Sequence, residues 1–316
     1  MIRALTFLFC LTLTACAAER LAPGPGPTTP HFVDKGHWMS DDGYVLGLSQ
    51  WQAQNPAIVF VALHGMNDYG QFIDAGAKYW MTNGITTYAY DQRGFGRTEG
   101  NGRWPGHDVM VRDARTFIAL VRERHPGARV FLLGESMGGA VAMLAAAQSD
   151  KPVADGLILV SPALWGWSNL DIVKRSALWA MMQIAPGARL TGQGLAIKPS
   201  DNENMLIALG RDPYVIKRTR IDAIYGLVDL MEAAWRAAPN VRLPTHILYA
   251  NGDEVVPSHP IEEAAALMPG IARTTCFDDG FHMLLRDLKA ERTWAAIASF
   301  VEATAAAPSG ACGGSN

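Results

Sequence analysis

The sequence predicts an α/β fold, a mostly parallel, doubly wound sheet with an inserted helical cap, and three observations carry that expectation. Short runs rich in apolar and β-branched residues recur, at residues 57–63 (AIVFVAL), 85–90, 129–133, 157–160 and 246–250 (HILYA), with a last strand expected at 272–277. Runs of this length mark strands buried on both faces. Helix-like stretches at residues 71–83, 108–124, 137–147 and 262–268 separate them, and a final helix is expected over 284–301. Strands alternating with such helices call for right-handed crossovers in a parallel sheet. The alternation then stops over residues 165–240, where helical spacing takes over.

Taken in chain order, residues 1–15 carry one positive charge at Arg3 and then an uncharged, mostly apolar run, the layout of a secretory signal. A run of about a dozen residues is too short to span a bilayer. It ends in Leu13-Thr14-Ala15-Cys16, which resembles the lipobox of bacterial lipoproteins. That resemblance implies acylation of Cys16 and a membrane anchor in the bacterial cell envelope, periplasm-facing or on the outer membrane. An ordinary signal cleaved between Ala15 and Ala18, or an uncleaved apolar N-terminus, remain as alternatives. Residues 16–30 read as a flexible tether, because LAPGPGPTTP at 21–30 has little to bury. Residues 304–316 read as a disordered tail. The folded body is expected to comprise a first core part at 31–164, the cap at 165–240 and a second core part at 241–303.

Within the body, Asp41-Asp42-Gly43 between apolar residues predicts a hairpin over residues 37–51. In the cap, Leu170, Val173, Ala177, Met181 and Ile184 form a stripe at steps of three and four, while Trp179 and Met182 fall off it. A helix apolar on more than one side suits an element between a core and a greasy substrate, or one simply buried in a large core.

Composition excludes several functions. The chain has 316 residues and a net charge of −3, with no Lys/Arg run, so no nucleic-acid partner is expected. Four cysteines without a Cys-x-x-Cys pair and eight histidines without His-Glu-x-x-His spacing suggest neither a metal nor another cofactor. In an oxidising compartment Cys276 and Cys312 could pair. The competing expectation is that Cys276 is a small buried residue on its strand.

The sharpest chemical signal is Gly134-Glu135-Ser136-Met137-Gly138, set between a predicted strand and a predicted helix. In this Gly-x-Ser-x-Gly arrangement a serine sits on a strained turn, and only glycine leaves room for the adjoining backbone. A serine hydroxyl needs a general base, and the α/β-hydrolase order places an acid and then a histidine downstream. His282, in Asp278-Asp279-Gly280-Phe281-His282, follows the last predicted strand and fits the base. Asp253 follows a strand directly and is the preferred acid over Asp278 and Asp279, with Glu254 the nearest misassignment. The expected oxyanion donors are the amides of Met137, after the nucleophile, and Met66, in Leu63-His64-Gly65-Met66-Asn67. His64 reads as structural, and Asp91 with Arg93 as a structural pair.

Taken together, Leu63-His64-Gly65-Met66, the stretch from Tyr90 to Gly100 (YDQRGFGRTEG), Gly134-Glu135-Ser136-Met137-Gly138-Gly139, Asn251-Gly252-Asp253 and Phe281-His282 resemble the monoacylglycerol lipase and lysophospholipase family of α/β-hydrolases. The resemblance covers most of residues 37–300. It implies hydrolysis of single-chain acyl esters beneath a helical cap, with a small lipophilic ester as the partner molecule. Acyl transfer or peptide hydrolysis on the same fold, and lipid binding without catalysis, are the alternatives. Trp165, Trp167, Trp179 and Met182 are the candidates for the acyl pocket. Met283-Leu284-Leu285 departs from the polar run that often follows the family's histidine.

Overall fold

The computed structural model describes residues 18–147, 152–192, 194, 196–268 and 272–306. Cys16 and the signal segment lie outside them, as does Cys312. The body opens with β1 (His31–Phe32) and β2 (His37–Met39), and β2 turns back into β3 (Val45–Trp51). Gly43 makes that turn possible at φ +80°, a region costly for other residues. Alternation follows: β4 (Ile58–Leu63), α1 (Asp74–Thr82), β5 (Ile85–Tyr90), α2 (His107–Arg124), β6 (Arg129–Glu135), α3 (Met137–Ala147) and β7 (Gly156–Val160). The insertion contains α4 (Ile172–Ile184), β8 (Arg189–Leu190), α5 (Glu203–Arg211), β9 (Thr219–Arg220) and α6 (Ile221–Ala237). The sheet resumes with β10 (Thr245–Ala250), α7 (Ser258–Leu267), β11 (Ala272–Phe277) and α8 (Ala290–Ala306).

Among the described residues the main sheet runs β1-β2-β3-β5-β4-β6-β7-β10-β11. Its first three strands pair antiparallel, and every pairing from β5 onward is parallel. Period-two alternation splits the core into two layers. Val59, Val61 and Leu63 face α2, α3 and the cap base, while Phe60 and Ala62 face α1 and α8. Helix α3 is buried on nearly all sides, held between the sheet and α6. The carboxyl ends of β4, β6, β7 and β10 therefore open toward the insertion, where such sheets place their reactive groups.

Five expectations differ from the structure, the first being the tail at 304–316, since α8 carries residues 304–306 and the remainder lies outside the described residues. The segment at 18–30 does not swing free. The Gly26 and Thr28 amides donate to the carbonyls of Asp42 and Asp41 at 2.9 and 2.8 Å, Gly24 donates to the Asp42 carboxylate at 3.0 Å, and Glu19 pairs with Arg103 at 2.8 Å. A segment poor in apolar side chains is held here by its backbone donors. The stripe on α4 does not face the core: Val173 and Ile184 are 73% and 71% exposed, and Leu178 is the residue this helix buries. The last helix starts at Ala290, because Asp287 accepts from the Phe281 amide and holds the preceding residues in turns. Cys276 is exposed rather than buried, since β11 is an edge strand.

Candidate active site

The turn after β6 is built by close approach. A Cβ at Gly134 would lie 2.3 Å from the Gly138 carbonyl oxygen, and one at Gly138 would lie 2.1 Å from that of Leu63. Ser136 itself has φ +53°, so this serine carries left-handed strain. Its amide donates to Val160 O at 3.0 Å, and its carbonyl accepts from Gly139 and Ala163, both at 2.9 Å. The backbone that carries the hydroxyl is thus fixed at the start of α3.

His282 Nε2 stands 3.0 Å from Ser136 Oγ, and its Nδ1 stands 2.8 Å from Asp253 Oδ2. The other Asp253 oxygen accepts from the Val255 and Val256 amides at 2.8 and 2.9 Å, which fixes the carboxylate's orientation. A chain of serine, imidazole and carboxylate in this order lets the imidazole take the hydroxyl proton while the carboxylate stabilises the resulting imidazolium. The rival acids point elsewhere. Glu254 accepts from the Lys198 amide, Asp278 from Asn251 Nδ2, and Asp279 pairs with Lys289 and Arg292.

The loop after β4 passes directly over the nucleophile: a Cβ at Gly65 would come within 3.2 Å of Ser136 Cβ. The Met66 amide belongs to this loop and the Met137 amide to the first turn of α3, where a helix leaves its amides without an intrahelical acceptor. His64 braces this loop. Its Nε2 accepts from the Gln92 amide at 2.9 Å, so its Nδ1 carries the proton and donates to Gly65 O at 2.8 Å. Complete burial pushes the His64 pKa down, which keeps the ring neutral in this role.

Asp91 and Arg93 do not pair with each other. Asp91 receives Arg97 and the Gly70 amide, whereas Arg93 reaches Asp113 at 2.6 Å and Asp42 at 2.7 Å. Residues two apart at the end of β5 follow different walls of the turn. The acyl-pocket candidates do not converge on Ser136. Trp167 and Trp179 line a cavity of about 720 Å³ with Arg175, Ser176, Ala180 and Tyr225, and no triad member lines it. Trp167 is turned by a 2.6 Å bond to Asp229. Met182 lines a separate pocket with Trp104, Tyr225 and residues 18–20, and Trp165 lies under the Lys174 ammonium, 5.5 Å from the ring centroid.

Sequence reasoning missed a buried ion cluster behind the site. Arg286 Nη1 lies 2.7 Å from Asp68 Oδ2 and its Nη2 lies 3.1 Å from Glu135 Oε2. Burial pushes the Glu135 carboxyl up, and the Arg286 guanidinium pulls against that. The signal was an acidic residue inside the Gly-x-Ser-x-Gly turn, with an arginine four residues past the histidine. No group able to hold a metal occurs among the described residues.

Fold and site together define a serine hydrolase of the α/β-hydrolase fold. A family model described as Hydrolase_4, serine aminopeptidase S33, matches residues 54–289, and the chain belongs to that family. Human monoglyceride lipase is 27% identical over 287 residues, 85% of this chain and 90% of its own length. Phospholipase YtpA of Bacillus subtilis is 28% identical over 219 residues, 65% of this chain and 80% of its own. Two solved structures share the fold. The Paleococcus ferrophilus monoacylglycerol lipase gives a TM-score of 0.68 at 22% identity, covering 82% of this chain and 99% of that one. A soluble variant of the Saccharomyces cerevisiae monoglyceride lipase gives 0.74 at 17%, covering 90% and 99%.

Proposed function

We propose that this carboxylic ester hydrolase cleaves single-chain acyl esters, of monoacylglycerol or lysophospholipid type, through an acyl-enzyme on Ser136. The observation that carries the reading is the continuous relay from Ser136 Oγ through His282 to Asp253, lying under the Gly65-Met66 loop. His282 takes the Ser136 proton as Oγ attacks the ester carbonyl, and the Met66 and Met137 amides receive the negative oxygen. The tetrahedral adduct collapses, the protonated His282 delivers its proton to the departing alcohol, and an acyl-serine remains. Water, deprotonated by His282, attacks that acyl group, and the second adduct releases the carboxylic acid and returns the proton to Ser136. Each oxyanion donor contributes roughly 3 to 4 kcal/mol. The relatives named for monoglyceride and phospholipid cleavage support the substrate class, and so does the lipophilic character of the cap, where Ile172, Val173, Trp179 and Ile184 stand exposed.

Anchoring of this enzyme to a bacterial envelope membrane through acylated Cys16 belongs to the same reading. It is supported by the lipobox-like residues 13–16. Replacing Cys16 with Ser should release the protein from the membrane fraction and abolish incorporation of a labelled fatty acid; incorporation unchanged by the substitution would exclude the anchor.

The test of the activity is hydrolysis of p-nitrophenyl esters of increasing acyl length and of monoacylglycerols, comparing the protein with its Ser136→Ala variant. A fall of at least about 10³-fold is expected in the variant. The family's description as serine aminopeptidases favours a second reading, peptide hydrolysis. Cleavage of aminoacyl p-nitroanilides in preference to the esters would establish it.

A further inference from the structure

We propose that Arg286 is a positioning residue for acyl transfer, fastening the nucleophile turn, the oxyanion loop and the histidine loop to one another. The inference rests on the acyl-enzyme reading of the site. Its ground is that a single guanidinium touches, or belongs to, all three loops. Glu135 precedes Ser136 directly. Asp68 lies two residues beyond Met66, just after Asn67, whose φ of +67° bends the loop. Arg286 itself lies four residues beyond His282, in a turn where its amide donates to Met283 O at 2.8 Å.

The three side chains are nearly sealed, with 10% of Arg286, 9% of Asp68 and 3% of Glu135 exposed. A guanidinium is planar and rigid, so its two Nη atoms fix the distance between the carboxylates they hold. Asp68 and Glu135 cannot drift apart without breaking a buried ion pair. Because Met66 and Ser136 sit within two residues of those carboxylates, the same plane sets the span between the oxyanion donors and the nucleophile. A misplacement of about 1 Å in such a constellation costs around 100-fold in rate.

The cluster is poorly designed for stability alone. Among the described residues Glu135 Oε1 and Arg286 Nε are buried without a hydrogen-bond partner, and like-shaped neutral side chains would fill this space without desolvating charges. A purely structural cluster would therefore be replaceable by a neutral one with no loss of rate. A positioning cluster would not.

The experiment compares the full chain with Arg286→Met, with Arg286→Lys, and with the triple variant Asp68→Asn, Glu135→Gln, Arg286→Met. Thermal unfolding, kcat and KM on a short p-nitrophenyl ester, and inhibition by an alkyl boronic acid, which mimics the tetrahedral adduct, are measured for each. Arg286→Met should lower kcat at least tenfold with KM within about threefold, and weaken boronate inhibition in parallel. Arg286→Lys should recover only part of the rate, since one ammonium cannot hold both carboxylates at the guanidinium's span. The triple variant should regain thermal stability without regaining kcat. Parental kcat in a folded Arg286→Met protein, or in the triple variant, would overturn the proposal. Ser136→Ala is run alongside: activity persisting there would strike the acyl-enzyme reading instead of the role of Arg286.

Discussion

At the scale of single residues, Asp253 and Gly138 illustrate two kinds of necessity. Asp253 uses one oxygen for His282 and the other for two backbone amides, so its amide replacement would offer a donor where an acceptor is needed. Asp253→Asn should lower kcat by about 10³- to 10⁴-fold with little change in KM, while Asp278→Asn stays near the parental rate; steady-state kinetics on one ester distinguishes them. Gly138 is needed for space. A methyl group there would meet the Leu63 carbonyl at 2.1 Å, and the end of β4 cannot retreat without moving the Gly65-Met66 loop that follows it. Gly138→Ala should cost about 3 kcal/mol or more in urea unfolding and abolish esterase activity. Both residues stand out in the sequence, because Gly-x-Ser-x-Gly and the order of acid and histidine each encode a geometry. The Arg286 cluster was not, because its members stand far apart in the chain and no local pattern demands their pairing.

At the scale of elements, periodicity located helices more reliably than it oriented them. The β4 pattern fixed both faces, since a strand between two helical layers has no solvent side to choose. Helix α4 lies where its stripe placed it, save that Leu170 precedes it, but the stripe gave the wrong direction. Its contact with α6 is small and Leu178 supplies its buried residue, leaving Ile172, Val173 and Ile184 exposed. Replacing Val173 and Ile184 together with Ser should therefore change stability by no more than about 0.5 kcal/mol per site, whereas Leu178→Ala should cost about 2 kcal/mol. Chemical denaturation of the two variants separates these outcomes, and a large loss from the exposed pair would mean that α4 packs inward in solution. The strap at 18–30 misled for a related reason. Composition reports what side chains can bury, and this segment is held by its amides.

At the scale of the whole molecule, the sheet joins the site to a distant titratable group. The strand order was recoverable in outline because alternation of strands and helices dictates parallel crossovers, but the edge position of β11 follows from the order of pairing, which no local pattern carries. That order buries His246, on β10, against β11 and α8: its Nε2 meets Thr275 Oγ1 at 2.9 Å, its ring lies 5.2 Å from that of Phe300, and among the described residues its Nδ1 has no hydrogen-bond partner. Burial, with Arg273 nearby, pushes its pKa down to about 4. An unfolded histidine takes up its proton near 6.5. Between these values the unfolded chain binds more protons than the folded one, so stability rises with pH across the window and falls as pH drops from 6.5 toward 4. The loss from His246 should reach about 3 kcal/mol, and buried His64, lowered for the same reason, adds a loss of the same sign. Asp42, held below the ordinary range by Arg93 against the cost of burial, loses its contribution only as pH falls below 3.8, whereas burial raises the carboxyls of Asp113, Glu135 and Asp287, which act with the opposite sign as pH falls, so the His246 effect is read as the difference between the parent and a His246 variant. Urea unfolding at a series of pH values from 7.5 to 4 should therefore show a slope that His246→Gln makes shallower; parallel curves for the two proteins would remove His246 as its source and leave His64 and His125, both lowered by burial, as the histidines that carry it.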